Sequence, residues 1–226
     1  MKALVVVQAR LASTRLVGKA LKPLGGVPML SFLLRRLLAG QLDTACCLAT
    51  TTRQEDDALA DIAQTLGVPV IRGECEDLLA RYVRCLKHFP DRALVRVTAD
   101  NPFTSLEMLR LALDGLADGA EYVSLPDGCP YGAGVDAFQA WTIQHLAAEA
   151  REAAEREHIN LHIVRHPQRF TIFTPSIPEK WRRPSLRLTV DTPEDYTSAI
   201  RIVGDHTPEE LLEFDAILDR TVCQTA

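Results

Sequence analysis

The chain has 226 residues, 47% of them hydrophobic, and carries 25 Lys and Arg against 30 Asp and Glu for a formal net charge of -5. That length buries a core comfortably as one α/β unit, and the acidic balance excludes a general nucleic-acid binder. No stretch approaches the roughly 18 apolar residues of a membrane span, and Met1 to Val7 is too short for a signal peptide, so a cytoplasmic location is expected.

Ala3 to Val7 is a continuous β-branched-rich run, the pattern of a strand buried on both faces, and Pro28 to Ala39 then repeats apolar residues at helical spacing. The strand, loop and helix unit recurs. Ala45 to Thr50 has strand character, Glu55 to Leu66 helix, Val68 to Ile71 strand and Glu76 to His88 helix. Ala93 to Thr98 and Ser105 to Leu116 repeat the pair. Alternation at this spacing predicts an α/β fold with a mostly parallel central sheet and helices on both faces.

From Tyr122 the rhythm changes. Pro126 to Gly134, "PDGCPYGAG", packs three glycines and two prolines into nine residues, which is loop chemistry, and Val135 to Phe138 suits a short strand leaving it. Trp141 to Arg165 is helical in composition with a break near His158, and Arg169 to Phe173 and Ser185 to Val190 have the pattern of two further strands. Thr192 to Asp195 and Thr207 to Glu210 each place Thr at an N-cap, Pro at the first helical position and an acid three residues after the cap. A single domain over residues 1–226 is expected, with a projecting arm around 126–180.

The six cysteines form no CxxC pair and no zinc spacing, which points to free thiols in a reducing compartment. There is no HExxH; His158, His162 and His166 share one face at i, i+4 and i+8, a pattern more often incidental than metal-binding. No GxSxG elbow is present either, so covalent chemistry is not expected.

In an open parallel sheet, ligands bind beyond the carboxyl ends of the strands, and that is where the unusual residues cluster. Gln8 leads into a loop with Arg10, Ser13, Thr14, Arg15 and Lys19, and Lys22 follows; these four cations lie within thirteen residues and repel one another unless an anion sits among them. The loop is neither GxxxxGK[ST] nor GxGxxG. Its hydroxyls, backbone amides, forked arginines and lysine suit a polyphosphate. Asp100 and Asp191 each follow an apolar run; singly each suits a turn or cap, and together with phosphate oxygens and water they would make a magnesium site. Asp195 fits the third position of a helix capping box.

In order along the chain, "VVVQARLASTRLVGKALKPLGGVPML", "RGECEDLLARY", "VRVTADNPF", "YVSLPDGCPYGAGVDAF", "REHIN" and "LRLTVDTPEDY" resemble the SpsF-like cytidylyltransferases of spore-coat and cell-surface polysaccharide synthesis, relatives of the CMP-Kdo and CMP-sialate synthetases. The resemblance spans residues 3 to 203. It implies a Rossmann-like nucleotide-diphospho-sugar transferase fold and Mg2+-dependent transfer of CMP from CTP to a sugar-like acceptor, with release of pyrophosphate. Relatives of this kind often form homodimers.

Carried over by position, the resemblance sets Arg10, Ser13, Arg15 and Lys19 on the triphosphate, with Gln8 at the start of that nucleotide-binding segment. Asp100 and Asp191 match the acids that hold Mg2+, and with Arg10 and Lys19 they make up the expected catalytic set. Arg72, Asp77 and Arg81 fall in the segment that lines the base pocket, and Asp136, Arg156, Glu157 and His158 fall in the acceptor motifs. Val17 stands where the family usually has proline, and "CPYGAGVDAF" lacks acids at Gly132 and Ala137, which leaves the acceptor open. The residues alone also leave room for a glycosyltransferase that uses a nucleotide-sugar donor, though no DxD follows a strand, and for a non-catalytic nucleotide- or sugar-binding relative.

Overall fold

The computed structural model describes residues 2–12 and 15–222. Ser13, expected on the triphosphate, lies outside the described residues, as do Thr14 and Cys223.

The first strand is β1 (Ala3–Gln8), followed by a 3-10 turn at Lys19–Leu21 and a small hairpin of β2 (Pro23–Leu24) and β3 (Val27–Pro28) that delivers the chain into α1 (Met29–Ala39). Then come β4 (Thr44–Thr51), α2 (Asp57–Thr65), β5 (Val70–Gly73), α3 (Leu78–His88), β6 (Ala93–Thr98) and α4 (Leu106–Ala117). Shorter pieces follow: β7 (Tyr122–Val123), β8 (Asp136–Phe138), α5 (Ala140–Glu149), α6 (Ala153–Glu157), α7 (Leu161–Arg165) and β9 (Ile172–Phe173). Two helices, α8 (Pro193–Val203) and α9 (Phe214–Val222), end the described chain.

The strand order is β5-β4-β1-β6-β8-β7-β9. β1 pairs in parallel with β4 and β6, and β4 with β5, so the carboxyl ends of these strands open on one edge. β8 runs antiparallel to both β6 and β7, and β9 is parallel to β7. The sheet is mostly parallel with helices on both faces, as the alternation predicts. Ala3, Val5 and Val7 face one layer, with Leu33 of α1, Leu59 of α2 and Leu109 of α4; Leu4 and Val6 face the other, with Leu79 and Tyr82 of α3 and Ile143 of α5. Strand side chains alternate between faces, so a run without polar interruption fills both layers, each fully buried Val or Leu contributing about 1.5–3 kcal/mol.

Four sequence expectations change in detail. Ser185 to Val190 is not a strand of the sheet: Leu188 and Val190 are buried, but their amides donate to the carbonyls of Tyr131 and Asp100, both at 2.8 Å. The helical stretch after Trp141 breaks twice, after Glu149 and after Glu157. The strand expected over Arg169 to Phe173 shrinks to β9, after a 3-10 turn at Pro167–Arg169. Thr207 and Glu210 do form a capping box, but on a single 3-10 turn. Within the segment where a projecting arm is expected, Ile143, Leu146, Ile159, Ile163 and Phe170 pack into the layer with α3.

Arg36 of α1 is fully buried and fixes the segment after β6: its Nε donates to the Leu211 carbonyl at 2.6 Å and its Nη1 to those of Pro102 at 2.7 Å and Thr104 at 3.1 Å. Burial pushes this guanidinium down to about 10, against the opposing pull of Glu107.

Candidate active site

The loop after β1 turns at Gly18, whose φ of 64° lies in the left-handed region that glycine adopts without a Cβ penalty. The turn starts the 3-10 segment at Lys19 and sends its side chain across the mouth of the sheet. There the ammonium Nζ donates to Asp100 Oδ2 at 2.8 Å and to Asp191 Oδ1 at 2.7 Å. Arg15 approaches the other Asp191 oxygen at 3.3 Å, and Arg187 stands 3.7 Å from it.

Asp100 follows β6, but Asp191 arrives by a different route. The segment before it is held by the Asp100 carbonyl, which accepts from the Val190 amide at 2.8 Å and the Thr189 hydroxyl at 3.3 Å. On its other side, Asp195 closes the capping box of α8 and also accepts from the amides of Asp191 and Thr192, both at 3.0 Å, while Arg187 binds its carboxylate at 3.1 Å. Gly132 lets the loop around Tyr131 lie against this segment: its φ is 94°, and a Cβ there would stand 2.7 Å from the Thr189 nitrogen.

One cation thus reaches both carboxylates, so a single divalent ion could be shared between them. Among the described residues no group of three or more His, Cys, Asp or Glu is arranged to hold a metal. A two-carboxylate site leaves its other positions to phosphate oxygens and water, the shell magnesium prefers. The donor set fits that ion.

These groups border a cavity of about 460 Å³. Gln8, Arg10, Arg15, Lys19, Asp100 and Asp191 line it, together with Arg81, Glu157 and His158. Arg10 pairs with Glu157 at 3.0 Å and reaches the Cys75 carbonyl at 3.5 Å. Burial alone would lower the Arg10 pKa, but its bonds to Glu157 and Cys75 outweigh it and hold the group up. Burial, aided by Glu76, also raises the Cys75 thiol. Arg81 is 4% exposed, its Nε has no hydrogen-bond partner, and burial lowers its pKa.

Arg72, Asp77, Asp136 and Arg156 do not line the cavity. Arg72 pairs with Asp57 at 2.6 Å and donates to the Thr51 and Arg53 carbonyls. Asp77 caps α3 through the Ala80 amide at 2.8 Å and binds Arg156 at 2.6 Å, tying α3 to α6. Asp136 is buried, accepting from Arg96 at 2.9 Å and from the Tyr122 hydroxyl at 2.5 Å. His158 follows α6 and faces the cavity, whereas the rings of His162 and His166 meet each other, tilted by 53° with centroids 4.8 Å apart.

Sequence reasoning missed Arg96, which lines the cavity while its Nε donates to Gln8 Oε1 at 3.2 Å. The signal was present, since a charged residue in the middle of the apolar "ALVRVT" strand has to face something polar.

A family model of cytidylyltransferases matches residues 4–221. The chain belongs to the cytidylyltransferase family. This cytidylyltransferase-family protein is 33% identical to the spore coat polysaccharide biosynthesis protein SpsF of Bacillus subtilis over 201 residues, 86% of this chain and 83% of that one. A cytidylyltransferase of Leptospira borgpetersenii has the same fold at a TM-score of 0.85, with 26% identity over 100% of this chain and 97% of that one. A CMP:2-keto-3-deoxy-manno-octonic acid synthetase complexed with CTP superimposes at a TM-score of 0.66 and 16% identity, covering 88% of this chain and 97% of that one, a likeness of fold. The fold is that of the nucleotide-diphospho-sugar transferases. Among the described residues no helix is long and apolar enough to cross a membrane.

Proposed function

We propose that the protein transfers CMP from CTP to a sugar-like acceptor in cell-surface or spore-coat polysaccharide synthesis. The observation that carries this reading is the meeting of Lys19 with Asp100 and Asp191 in a cavity that Arg10 and Arg15 also line, cations of the kind that bind phosphates and carboxylates of the kind that hold their metal ion. The SpsF relative supports the pathway, and the fold relative that holds CTP supports the nucleotide.

In this reading Arg10, Arg15 and Lys19 bind the triphosphate and offset the charge that develops on the leaving group. The acceptor's oxygen bonds to the α-phosphorus, releasing its proton to solvent where it attacks as a hydroxyl, while the bond from the α-phosphorus to the oxygen bridging to the β-phosphate breaks and pyrophosphate leaves with the bonding pair. Asp100 and Asp191 would hold Mg2+, which when bound neutralises phosphate charge and orients the triphosphate. Arg81 takes part in base binding, and Glu157 and His158, the first of them paired with Arg10, face the acceptor. Arg156 and Asp77 hold α6 against α3 and so place Glu157 and His158.

The test is pyrophosphate release from CTP with Mg2+ and a panel of acidic and phosphorylated sugars, alongside melting curves with each nucleotide. CTP should raise the melting temperature more than ATP or GTP, since a ligand at 100 times its dissociation constant adds about 2.7 kcal/mol of stability. Equal stabilisation by every triphosphate would count against a cytidine site, and CTP binding without turnover on any acceptor would favour a non-catalytic binder.

A further inference from the structure

Asp56 ends the 3-10 turn Gln54–Asp56 and stands at the N-cap of α2, where an aspartate normally accepts from the helix's own first amides. It makes no such bond. Its side chain turns the other way and is completely buried, with Oδ1 accepting from the Leu11 amide at 2.7 Å and Oδ2 accepting from the Thr51 hydroxyl. Thr51 Oγ1 in turn accepts from the Arg53 amide at 3.2 Å, so one buried carboxyl group joins the loops that follow β1 and β4.

Where that bond falls along the chain gives it its effect. Sheet pairing continues past β1 as far as Ala9, whose amide donates to the Ala49 carbonyl at 3.2 Å. The next held amide is that of Leu11. Arg10 is therefore fixed on both flanks, by Ala49 before it and by Asp56 after it, and its side chain extends into the cavity toward Glu157 and Cys75. A buried carboxyl group that forgoes a local cap for an amide 45 residues earlier in the chain places a loop rather than stabilises its own helix.

We propose that Asp56 is a positioning residue for the nucleotide. By holding the Leu11 amide it sets the direction in which Arg10 and the cationic loop meet the triphosphate. The inference rests on CTP being the ligand of that loop.

The experiment titrates CTP calorimetrically into wild-type protein and folded variants, with no acceptor, below every melting point. Asp56→Ala should weaken CTP binding about tenfold or more, the scale on which a small misplacement of a binding group is felt. Should that variant fail to fold, Asp56→Ser takes its place, its side chain being too short to meet both partners. Asp56→Asn should stay within about threefold of wild type, because its amide can accept from Leu11 and donate to the Thr51 hydroxyl. Thr51→Val breaks the other bond and leaves the Leu11 bond intact, so it should lose stability yet keep wild-type CTP affinity. Wild-type affinity in Asp56→Ala, or equal losses in Asp56→Ala and Thr51→Val, would overturn the proposal while leaving the CTP reading standing. Absence of CTP binding by the wild-type protein would overturn both.

Discussion

The Val190 amide donates to the Asp100 carbonyl at 2.8 Å, and this bond brings together two carboxylates that the sequence keeps far apart. Asp191 is the next residue after that anchor, and its Oδ1 meets the same Lys19 ammonium as Asp100 Oδ2. The two acids are therefore neighbours through backbone contact, independent of any bound ion.

If the pair acts as one site, Asp100→Asn and Asp191→Asn should each lower turnover by about a hundredfold or more, the usual loss when one preorganised electrostatic partner is removed. The double variant should be little worse than the worse single one, since groups that act together are strongly non-additive. Initial rates of pyrophosphate release check this, and additive losses would separate the two acids into different roles.

Lys19 occupies the space between both carboxylates, so it competes with any other cation there. Lys19→Met keeps the stem and removes the charge. Mn2+ binding without nucleotide, followed by electron paramagnetic resonance, should tighten about fivefold or more in this variant, because a cation lost a few ångströms from two carboxylates leaves their field for the metal. CTP affinity should weaken in the same variant. Unchanged Mn2+ affinity would place the metal elsewhere.

Gly132→Ala places a Cβ 2.7 Å from the Thr189 nitrogen on a backbone with a φ of 94°. The segment that carries Asp191 must then move. A stability loss of about 1–3 kcal/mol by urea titration is expected, the range for overpacking. Turnover should fall by more than the unfolded fraction explains, because the Val190 anchor shifts with the segment. Normal activity in a destabilised variant would show that the anchor tolerates the shift.

Glu149 lies outside the site and gives a pH prediction. The Arg169 guanidinium, 2.8 Å away, holds its carboxyl down to about 2 from the ordinary 4.5, against a smaller effect of burial, with His145 and His162 assisting. A carboxyl whose folded pKa is depressed stabilises the fold above its unfolded value, and that stability is lost as the pH falls from about 4.5 toward 2. Arg169→Leu should be less stable than wild type at neutral pH, and the difference should shrink across that window in melting curves. A difference that does not change with pH would leave the ion pair without a part in acid stability.

Much of the fold was legible in the sequence because periodicity is a local property. The β-branched run at Ala3 to Val7 has nowhere to put five apolar side chains except two buried layers, and helical spacing between such runs implies parallel crossovers. The crowding of Arg10, Arg15 and Lys19 after that strand likewise called for negative charge nearby, and the structure sets Glu157, Asp191 and Asp100 beside them. The strand expected before Asp191 failed for a local reason too: Leu186, Leu188 and Val190 alternate as a strand does, yet alternation says only that one face is buried, and here that face meets α8 and α9 instead of a sheet neighbour.

Direction and partnership were decided only in three dimensions. Arg72 and Arg81 lie nine residues apart by their numbering in one suspected pocket segment, but Arg72 turns outward to Asp57 while Arg81 lines the cavity. Arg96 faces the site and Asp136 sits behind it as its buried partner, while Asp56 looks like the middle one of three adjacent acids at a helix start until the chain brings Leu11 to it. Sequence determined which charges the protein carries and the elements that hold them. Which charges meet depended on the packing of segments distant along the chain, because a hydrogen bond forms over about 3 Å and sequence spacing does not encode that approach.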